Sequence, residues 1–572
     1  MNIPRPEHPN PQFERANWLN LNGEWEFEID KSVSGEARRL FEKEHLEGKI
    51  ILPFCPESSL SGVCEKDFLN AVWYKKTISI KDKNSRIILH IGACDYLTTL
   101  YINKEKIGTH KGGYTSFSFD ITDYVNIGEN AVVINAVDDA RNLHHPSGKQ
   151  SRIYGSHGCY YTRTTGIWQT VWLEFVPENH ITDLKFYPDP ANCKLFVKGK
   201  TKGNGVVTAS AFYKGADMGG ATAIVENETF ELVIPLKEKH LWEVGNGRLY
   251  DLIFTFGDDL VKSYFGLRSL KLDGYKFLIN GKSVYQRLVL DQGFYPDGIY
   301  TAPNEAALIN DIKISLDAGF NGARLHEKVF EPRFLYHCDK MGYLAWGEFP
   351  NWGFDHSSCD ALPNFLSEWM EAVNRDFNHP SIVGWIPFNE TWDVERRAQV
   401  DALIEIVYKT TKMMDSTRPV VDTSGNFHVT TDIFDLHDYE QDTDTFKETI
   451  RIFNEEGNYV AGIEKNDRLK GRQFYKGEPV FLSEYGGIKW DIDGASDSWG
   501  YGNAPKTEEE FIKRYEGLTL PLLESPKLFG FCYTQLYDVE QEKNGLYTYE
   551  RKPKFDMEIF KKINSVKAEI EN

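Results

Sequence analysis

Two β-sandwiches followed by a parallel (β/α)8 barrel are the fold class that this 572-residue sequence predicts. Three observations point to it. Short alternating apolar runs between turn residues fill the chain to about Pro177. A second all-β stretch runs from about Glu178 to Lys271. From Leu272 onward, apolar strand-like runs alternate with helical periods. These shifts place three domains at 1–177, 178–271 and 272–572.

In the first stretch, Arg86–Ile91 is followed by Asp95–Tyr96, then Thr98–Ile102 and a charged turn at Asn103–Lys106; Ala131–Ala136 and Thr170–Phe175 repeat the pattern. Strands at this spacing, with few helical stretches between them, form a two-sheet sandwich. The second stretch alternates in Lys194–Val197, Gly205–Tyr213 and Tyr250–Phe256, and its size fits one immunoglobulin-like sandwich.

The third stretch predicts strands at Val284–Leu290, Gly322–Leu325, Tyr343–Trp346, Ile382–Ile386, Val420–Asp422, Ile433–Asp438, Pro479–Ser483 and Leu528–Gln535. Helices are expected at Glu305–Ala318, Pro332–Met341, Leu366–Phe377, Val400–Met414 and Glu508–Leu520. Trp369, Val373 and Phe377 recur on one helical face, as do Leu403, Val407 and Met414, and Gly319 and Gly342 stand where helix C-caps belong. An open α/β sheet is the alternative. No glycine-rich phosphate loop follows any of the strands, which weighs against it.

Composition narrows the function. With 65 Lys+Arg against 85 Asp+Glu the chain carries a net charge of −20, which repels phosphate backbones and acidic lipid, so neither nucleic acid nor membrane is an expected partner. The apolar runs fall short of the ~20 residues that a membrane span needs. The 8 cysteines are scattered singly, which favours free thiols in a reducing compartment over a disulfide framework or a structural zinc. The start Met1-Asn-Ile-Pro-Arg has no apolar stretch after a basic one, so a cytoplasmic location is expected.

In such a barrel, reactive groups sit at the C-terminal ends of strands. Those ends carry Asp291, Arg324, His326, Glu348, Asn389, Glu390, His437, Tyr439, Glu484 and Tyr485. Carboxylates dominate. Cleaving an acetal needs a proton donor to the leaving oxygen and an anion facing the anomeric carbon, and two carboxyl groups supply both. No G-x-S-x-G elbow is present for a serine hydrolase. His326, His356 and His437 form no H-x-x-x-H pair, so no metal and no cofactor is expected, although an ordered cation near Glu348 or Asp291 is left open. The tryptophans between Trp346 and Trp499 are candidates for a sugar platform or for plain packing.

Several stretches resemble glycoside hydrolase family 2, which contains β-galactosidases, β-glucuronidases and β-mannosidases. They are Arg375-Asp-Phe-Asn-His-Pro-Ser-Ile-Val-Gly-Trp-Ile-Pro-Phe-Asn389-Glu390, Pro479-Val-Phe-Leu-Ser-Glu484-Tyr485-Gly-Gly, Gly112-Gly-Tyr-Thr-Ser-Phe-Ser-Phe-Asp-Ile-Thr-Asp-Tyr, Thr165-Gly-Ile-Trp-Gln-Thr-Val-Trp-Leu and Trp18-Leu-Asn-Leu-Asn-Gly-Glu-Trp-Glu-Phe. The resemblance implies a jelly-roll sugar-binding domain, an immunoglobulin-like sandwich and a TIM barrel. It implies Glu390 as general acid/base and Glu484 as nucleophile in a double displacement with retention. Burial and the charge of Glu484 are expected to raise the pKa of Glu390. Asn389 matches the residue that bonds the sugar 2-hydroxyl, and Arg324 lies where an arginine supports the nucleophile, with a rim salt bridge as the alternative for it and for His326. Tyr485 and Tyr439 are expected as donors around Glu484, and His437 lies beside them at its strand end. Asp291 either binds a sugar hydroxyl or caps a loop.

The departures concern substrate. The family commonly has a Trp after strand eight, whereas Gly530-Phe-Cys-Tyr-Thr-Gln535-Leu-Tyr537-Asp538 has none, so Trp352, Trp490 or Tyr537 is expected as platform and Gln535 as a contact. Family glucuronidases carry an Asn-x-Lys pair for the C6 carboxylate. The comparable loop Glu540-Gln-Glu-Lys543-Asn544 lacks that order, leaving Lys489 or Arg551 as other sources of charge. The expectation is a retaining exo-β-glycosidase acting on a small carbohydrate or glycoconjugate, β-galactoside first. A β-glucuronide, mannoside or arabinoside and an inert carbohydrate-binding protein are the alternatives. Related enzymes are often dimers or tetramers, and the sequence leaves a homo-oligomer open.

Overall fold

The computed structural model describes residues 3–392, 398–457, 475–492, 494 and 497–572. The N-terminal part is two antiparallel sheets. One has six strands in the order Gly48–Leu52, Gly23–Ile29, Ala71–Ile80, Gly128–Val137, Leu97–Ile102, Glu105–Lys111; the other has four, Trp18–Asn20, Val171–Val176, Arg86–Ile91, Phe117–Asp120. The strand Arg86–Ile91 shows why they pack: Ile87, Leu89 and Ile91 are fully buried while the residues between them are half-buried. They share one core with Trp25, Tyr74, Leu100, Ile134 and Leu173 from both sheets.

Next come a three-stranded sheet (His180–Asp189, Lys194–Lys202, Thr229–Pro235) and a four-stranded one (Ala216–Ile224, Val206–Tyr213, Tyr250–Phe256, Asp259–Phe265), all antiparallel. Leu195, Val197, Val207, Ala209 and Phe254 form their separate core.

The C-terminal part is a curled parallel sheet of seven strands. Its order is Ile382–Ile386, Leu344–Glu348, Gly322–Leu325, Gln286–Asp291, Leu528–Thr534, Val480–Gly486, Phe434–Asp438. These are seven of the eight expected strands. The eighth, Val420–Asp422, makes isolated parallel bridges to the first edge, Trp385 to Val420 and Asn389 to Ser424. Toward the other edge it is linked by Ser424 Oγ and Gly425 N, which bond the Asp435 carboxylate at 2.5 and 3.0 Å. The Asp422 side chain accepts from Val429 N and Thr430 N at 2.7 and 3.0 Å, which folds the segment into a local loop rather than along a neighbour.

Helices Glu305–Asp317, Pro332–Met341, Leu362–Asp376, Asp401–Met414 and Glu508–Leu523 stand where expected to within a few residues. Two more, Thr443–Glu456 and Met557–Asn564, were not expected. Trp369, Val373, Leu403 and Val407 bury the predicted faces.

Candidate active site

Arg324 is the centre of the site. It lies on the strand Gly322–Leu325, fully buried, and every nitrogen has an acceptor. Nε donates to Glu348 Oε1 at 2.5 Å, Nη1 to Ser483 O at 2.7 Å and Glu484 Oε1 at 3.1 Å, and Nη2 to Asn389 Oδ1 at 3.1 Å. One planar fork therefore fixes side chains from three other strand ends. Burial alone would discharge the guanidinium; Glu348 and Glu484 outweigh it and hold it charged.

Glu484 lies within the strand Val480–Gly486 and points inward, whereas its neighbour Tyr485 points outward. Tyr485 was expected beside Glu484; its hydroxyl instead meets Thr519 Oγ1 on the outer helix at 2.8 Å. Tyr439 takes the expected place, donating to Glu484 Oε2 and stacking on Tyr501 with ring centroids 3.5 Å apart. Burial pushes the Glu484 carboxyl up, but the charges of His437 and Arg324 leave it below the usual range.

Glu390 follows the strand Ile382–Ile386 in a left-handed conformation, φ +48°, unfavourable for a side-chain-bearing residue and held here by its N–H bond to Ser424 O at 3.0 Å. Its Oε1 lies 2.8 Å from His437 Nδ1, and His437 Nε2 lies 3.4 Å from Glu484 Oε1. Ligand-type atoms of Glu390, His437 and Glu484 all fall within 4.8 Å of one another. The expected pKa direction for Glu390 is reversed. Burial alone would lift the carboxyl, but the hydrogen bond and charge of His437 hold it down at about 2. His437 is correspondingly raised: burial opposes its charge, and the two carboxylates prevail. A cation at this point would have to replace the His437 ring that already bridges the pair.

Asn389 is held by its backbone as well. Asn351 donates Nδ2 to its carbonyl at 3.0 Å and accepts from its N–H at 2.7 Å, and Trp352 Nε1 donates to the same carbonyl at 3.2 Å. His326 pairs with Glu348 Oε2 at 3.0 Å, which gives it the rim-pair role; burial keeps it below the usual imidazole range. Besides Tyr485, the expected residues Asp291, Tyr537, Trp490 and Gln535 meet partners outside this cluster. Asp291 accepts from Tyr537 and from Gly293 N, the loop-capping alternative, and burial lifts it to about 6. Trp490 packs on Phe511 and Phe555 with centroids 5.9 and 5.8 Å away. Gln535 donates to Asn544 at 2.8 Å, and Asn544 in turn donates to Glu542 at 3.0 Å. Of the two alternative cations, Lys489 donates to Ser498 O and Arg551 pairs with Asp311. Asn351 on Asn389, Tyr501 on Tyr439, and Lys149 and Tyr160 on Trp352 also adjoin the site, and sequence reasoning missed them; only Asn351, just after a predicted strand end, carried a positional signal.

Residues 64–172 match the family described as "Glycosyl hydrolases family 2, sugar binding domain", and residues 270–568, just over half of the chain, match "Glycosyl hydrolases family 2, TIM barrel domain". The chain belongs to glycosyl hydrolase family 2. As a family 2 chain it is a glycoside hydrolase. It is 24% identical to a Beta-glucuronidase of Streptococcus agalactiae serotype V, over 96% of each chain. It is 26% identical to a Beta-galactosidase of Thermoanaerobacter pseudethanolicus, over 77% of this chain and 58% of that one. Among solved structures, the β-glucuronidase from Ruminococcus gnavus in complex with D-glucuronic acid superposes with a TM-score of 0.80 at 18% identity, covering 99% of this chain and 100% of the other. An uncultured Clostridium sp. Beta-glucuronidase gives 0.79 at 20% identity, over 97% and 99%. These two share the fold. Among the described residues, no helix is long and apolar enough to cross a membrane.

Proposed function

We propose that the protein is a retaining exo-β-glycosidase that removes terminal β-glucuronic acid from small glycoconjugates. Its proposed architecture is a jelly roll over 1–177, an immunoglobulin-like sandwich over 178–271 and a closed (β/α)8 barrel over 272–572. The observation that carries the mechanism is the approach of Glu390 and Glu484, with carboxylate oxygens within 4.8 Å. Retention needs two carboxyls about 5–5.5 Å apart; inversion needs room for a water and about 6.5–9.5 Å.

Glu484, kept ionised by Arg324 and His437, attacks the anomeric carbon and forms a glycosyl-enzyme. The proton for the leaving oxygen is held by the His437–Glu390 pair and delivered through Glu390. Glu390 then takes a proton from the water that releases the sugar. Asn389, oriented by Arg324 and Asn351, meets the 2-hydroxyl.

The sequence favoured β-galactoside. The relatives move the first choice to β-glucuronide: the relative that this chain matches over nearly its full length and the structural neighbours of equal length carry that name. The galactoside stays as the second reading, because several curated relatives are named Beta-galactosidase and the loop Glu540–Asn544 lacks the glucuronidase Asn-x-Lys order. The free thiols of all described cysteines suit a cytoplasmic location. The inert binding-protein reading has no use for the paired carboxylates.

Initial rates on p-nitrophenyl β-glucuronide, galactoside, glucoside, mannoside and arabinoside, with E484Q as blank, test the reading, and proton NMR identifies the first-formed anomer. Glucuronide turnover that disappears in E484Q, with the β-anomer released first, is expected. Release of the α-anomer, or undiminished turnover in E484Q, overturns the mechanism; preference for another glycone overturns the substrate.

A further inference from the structure

The segment Ser147–Ser151 precedes the strand Val171–Val176 of the N-terminal sandwich, yet it is bonded into the rim of the parallel sheet. Ser147 N and Gly148 N both donate to Trp352 O at 2.9 Å, and Gly148 N also reaches Pro350 O at 3.1 Å. Gly148 adopts φ +55°, and a Cβ there would lie 2.6 Å from Glu327 O. The backbones are thus in direct contact, and the next side chain, Lys149, lies over the ring of Trp352.

Lys149 is only 5% exposed, and its ammonium sits 3.8 Å from the centroid of the Trp352 ring. Among the described residues the ammonium makes no hydrogen bond and no ion pair, while the Lys149 carbonyl accepts from Tyr161 N at 2.8 Å. The other buried cations nearby are all bonded: Arg324 to three side chains, Lys328 to Gly293 O and Tyr300 O, Arg551 to Asp311, Lys554 to Asp538. A buried ammonium with three idle donors is costly, and a ring face offsets only part of that. Burial would discharge it, but Cys159, Glu542, Glu327 and Glu484 keep it charged from beyond contact distance and leave its N–H groups unoccupied. The Trp352 ring beneath the ammonium donates Nε1 to Asn389 O at 3.2 Å, directly before Glu390, and the field of Lys149 reaches Glu390 and His326.

We propose that Lys149, supplied by the sugar-binding region, is a specificity-determining residue that binds the C6 carboxylate of the sugar held between Glu390 and Glu484. The inference rests on the β-glucuronide reading above. A carboxylate offers two oxygens to the three N–H donors of the ammonium, whereas the loop Glu540–Asn544 offers Lys543 only beside Asp538. The competing role is purely electrostatic, with Lys149 holding Glu390 and Glu484 ionised whatever sugar is bound.

β-Glucuronide and β-glucoside differ only at C6, so their ratio of kcat/KM isolates the contact. K149M is expected to lower that ratio about 10- to 100-fold, mainly through KM on the glucuronide. K149R, which keeps the charge, is expected to retain most of it. Competition by D-glucuronate and D-glucose gives a second readout: wild type prefers glucuronate, and K149M loses the preference. K149Q serves if K149M does not fold. An equal loss on both glycones, or an unchanged ratio, overturns the assignment. Wild-type preference for glucuronide that persists in K149M rejects Lys149 alone; wild type without that preference rejects the substrate reading and the assignment together.

Discussion

His437 Nδ1 lies 2.8 Å from Glu390 Oε1, and that contact reverses the protonation that burial would impose on Glu390. In the proposed mechanism the proton needed by the leaving oxygen comes from the His437–Glu390 pair, with the carboxylate as its relay. H437Q removes both the hydrogen bond and the charge, so the Glu390 carboxyl should rise from about 2 toward the range burial favours. Infrared difference spectra against H437Q/E390Q should show a protonated carboxyl at pH 5 in H437Q, absent in wild type against E390Q. Turnover should fall about 10²-fold. An ionised Glu390 in H437Q at that pH would contradict the relay.

With Glu484 as the proposed nucleophile, Arg324 should set the acid side of the pH profile. Its Nη1 contact with Glu484 Oε1 at 3.1 Å helps to hold that carboxyl below the ordinary carboxylate range. R324K keeps one positive charge but loses the fork that also binds Glu348 and Asn389. Glu484 should therefore be harder to ionise, and the acid limb of kcat/KM should move to higher pH. A hydrogen bond between charged groups is worth about 1.5–3 kcal/mol, so at the optimum kcat should fall at least tenfold. An acid limb that stays in place would show that His437 alone controls Glu484.

The parts of the site legible in the sequence were those that local pattern fixes. Glu390, Glu484, Arg324, His437 and Tyr439 stand at or just beyond strand ends, where apolar runs stop, so reading those ends found them. Tyr485 failed because adjacent strand residues point to opposite faces, and an inward Glu484 sends Tyr485 to Thr519. The protonation of Glu390 failed because its decisive partner is 47 residues away on another strand end. Lys149 was invisible for the same reason: nothing in its neighbourhood shows that Gly148 packs against Glu327. The helix Thr443–Glu456 was missed: Phe446, Ile450 and Phe453 share a face behind an Asp442 cap, but its many charged residues obscured the period. Val420–Asp422 reads as a strand because Val420 and Val421 are apolar and buried; the Asp422 loop bonds that cut it short do not show in the pattern.

Gly148 couples the sugar-binding region to the site. Its left-handed φ of +55° costs a side-chain-bearing residue about 1–2 kcal/mol, and a Cβ 2.6 Å from Glu327 O forces the two segments apart. G148A should raise KM and lower kcat/KM by more than its small loss of thermal stability explains, because Lys149 and Trp352 move while Arg324 and Glu484 stay in place. The check is a kinetic comparison beside a thermal melt. Wild-type KM in a folded G148A would show that the segment only fills space.

The contact between the N-terminal sandwich and the parallel-sheet region should make stability fall with rising pH. Glu368, on the helix Leu362–Asp376, accepts from Tyr114 N at 2.7 Å through Oε1, while its buried Oε2 has no hydrogen-bond partner among the described residues. Burial lifts Glu368 to about 8, and Asp95 nearby is lifted to about 8 by burial and by Glu368. Both groups ionise near pH 4 in the unfolded chain, so between there and about pH 8 the folded state binds more protons. Unfolding free energy must then decrease with pH across that window. E368Q keeps an oxygen for Tyr114 N and supplies a neutral NH2. It should flatten the slope and leave the protein about 1–3 kcal/mol more stable than wild type at pH 8.5, with little difference at pH 5. Urea midpoints at the two pH values measure it. Equal slopes in both proteins would mean that water reaches the Glu368 carboxylate and already offsets its charge.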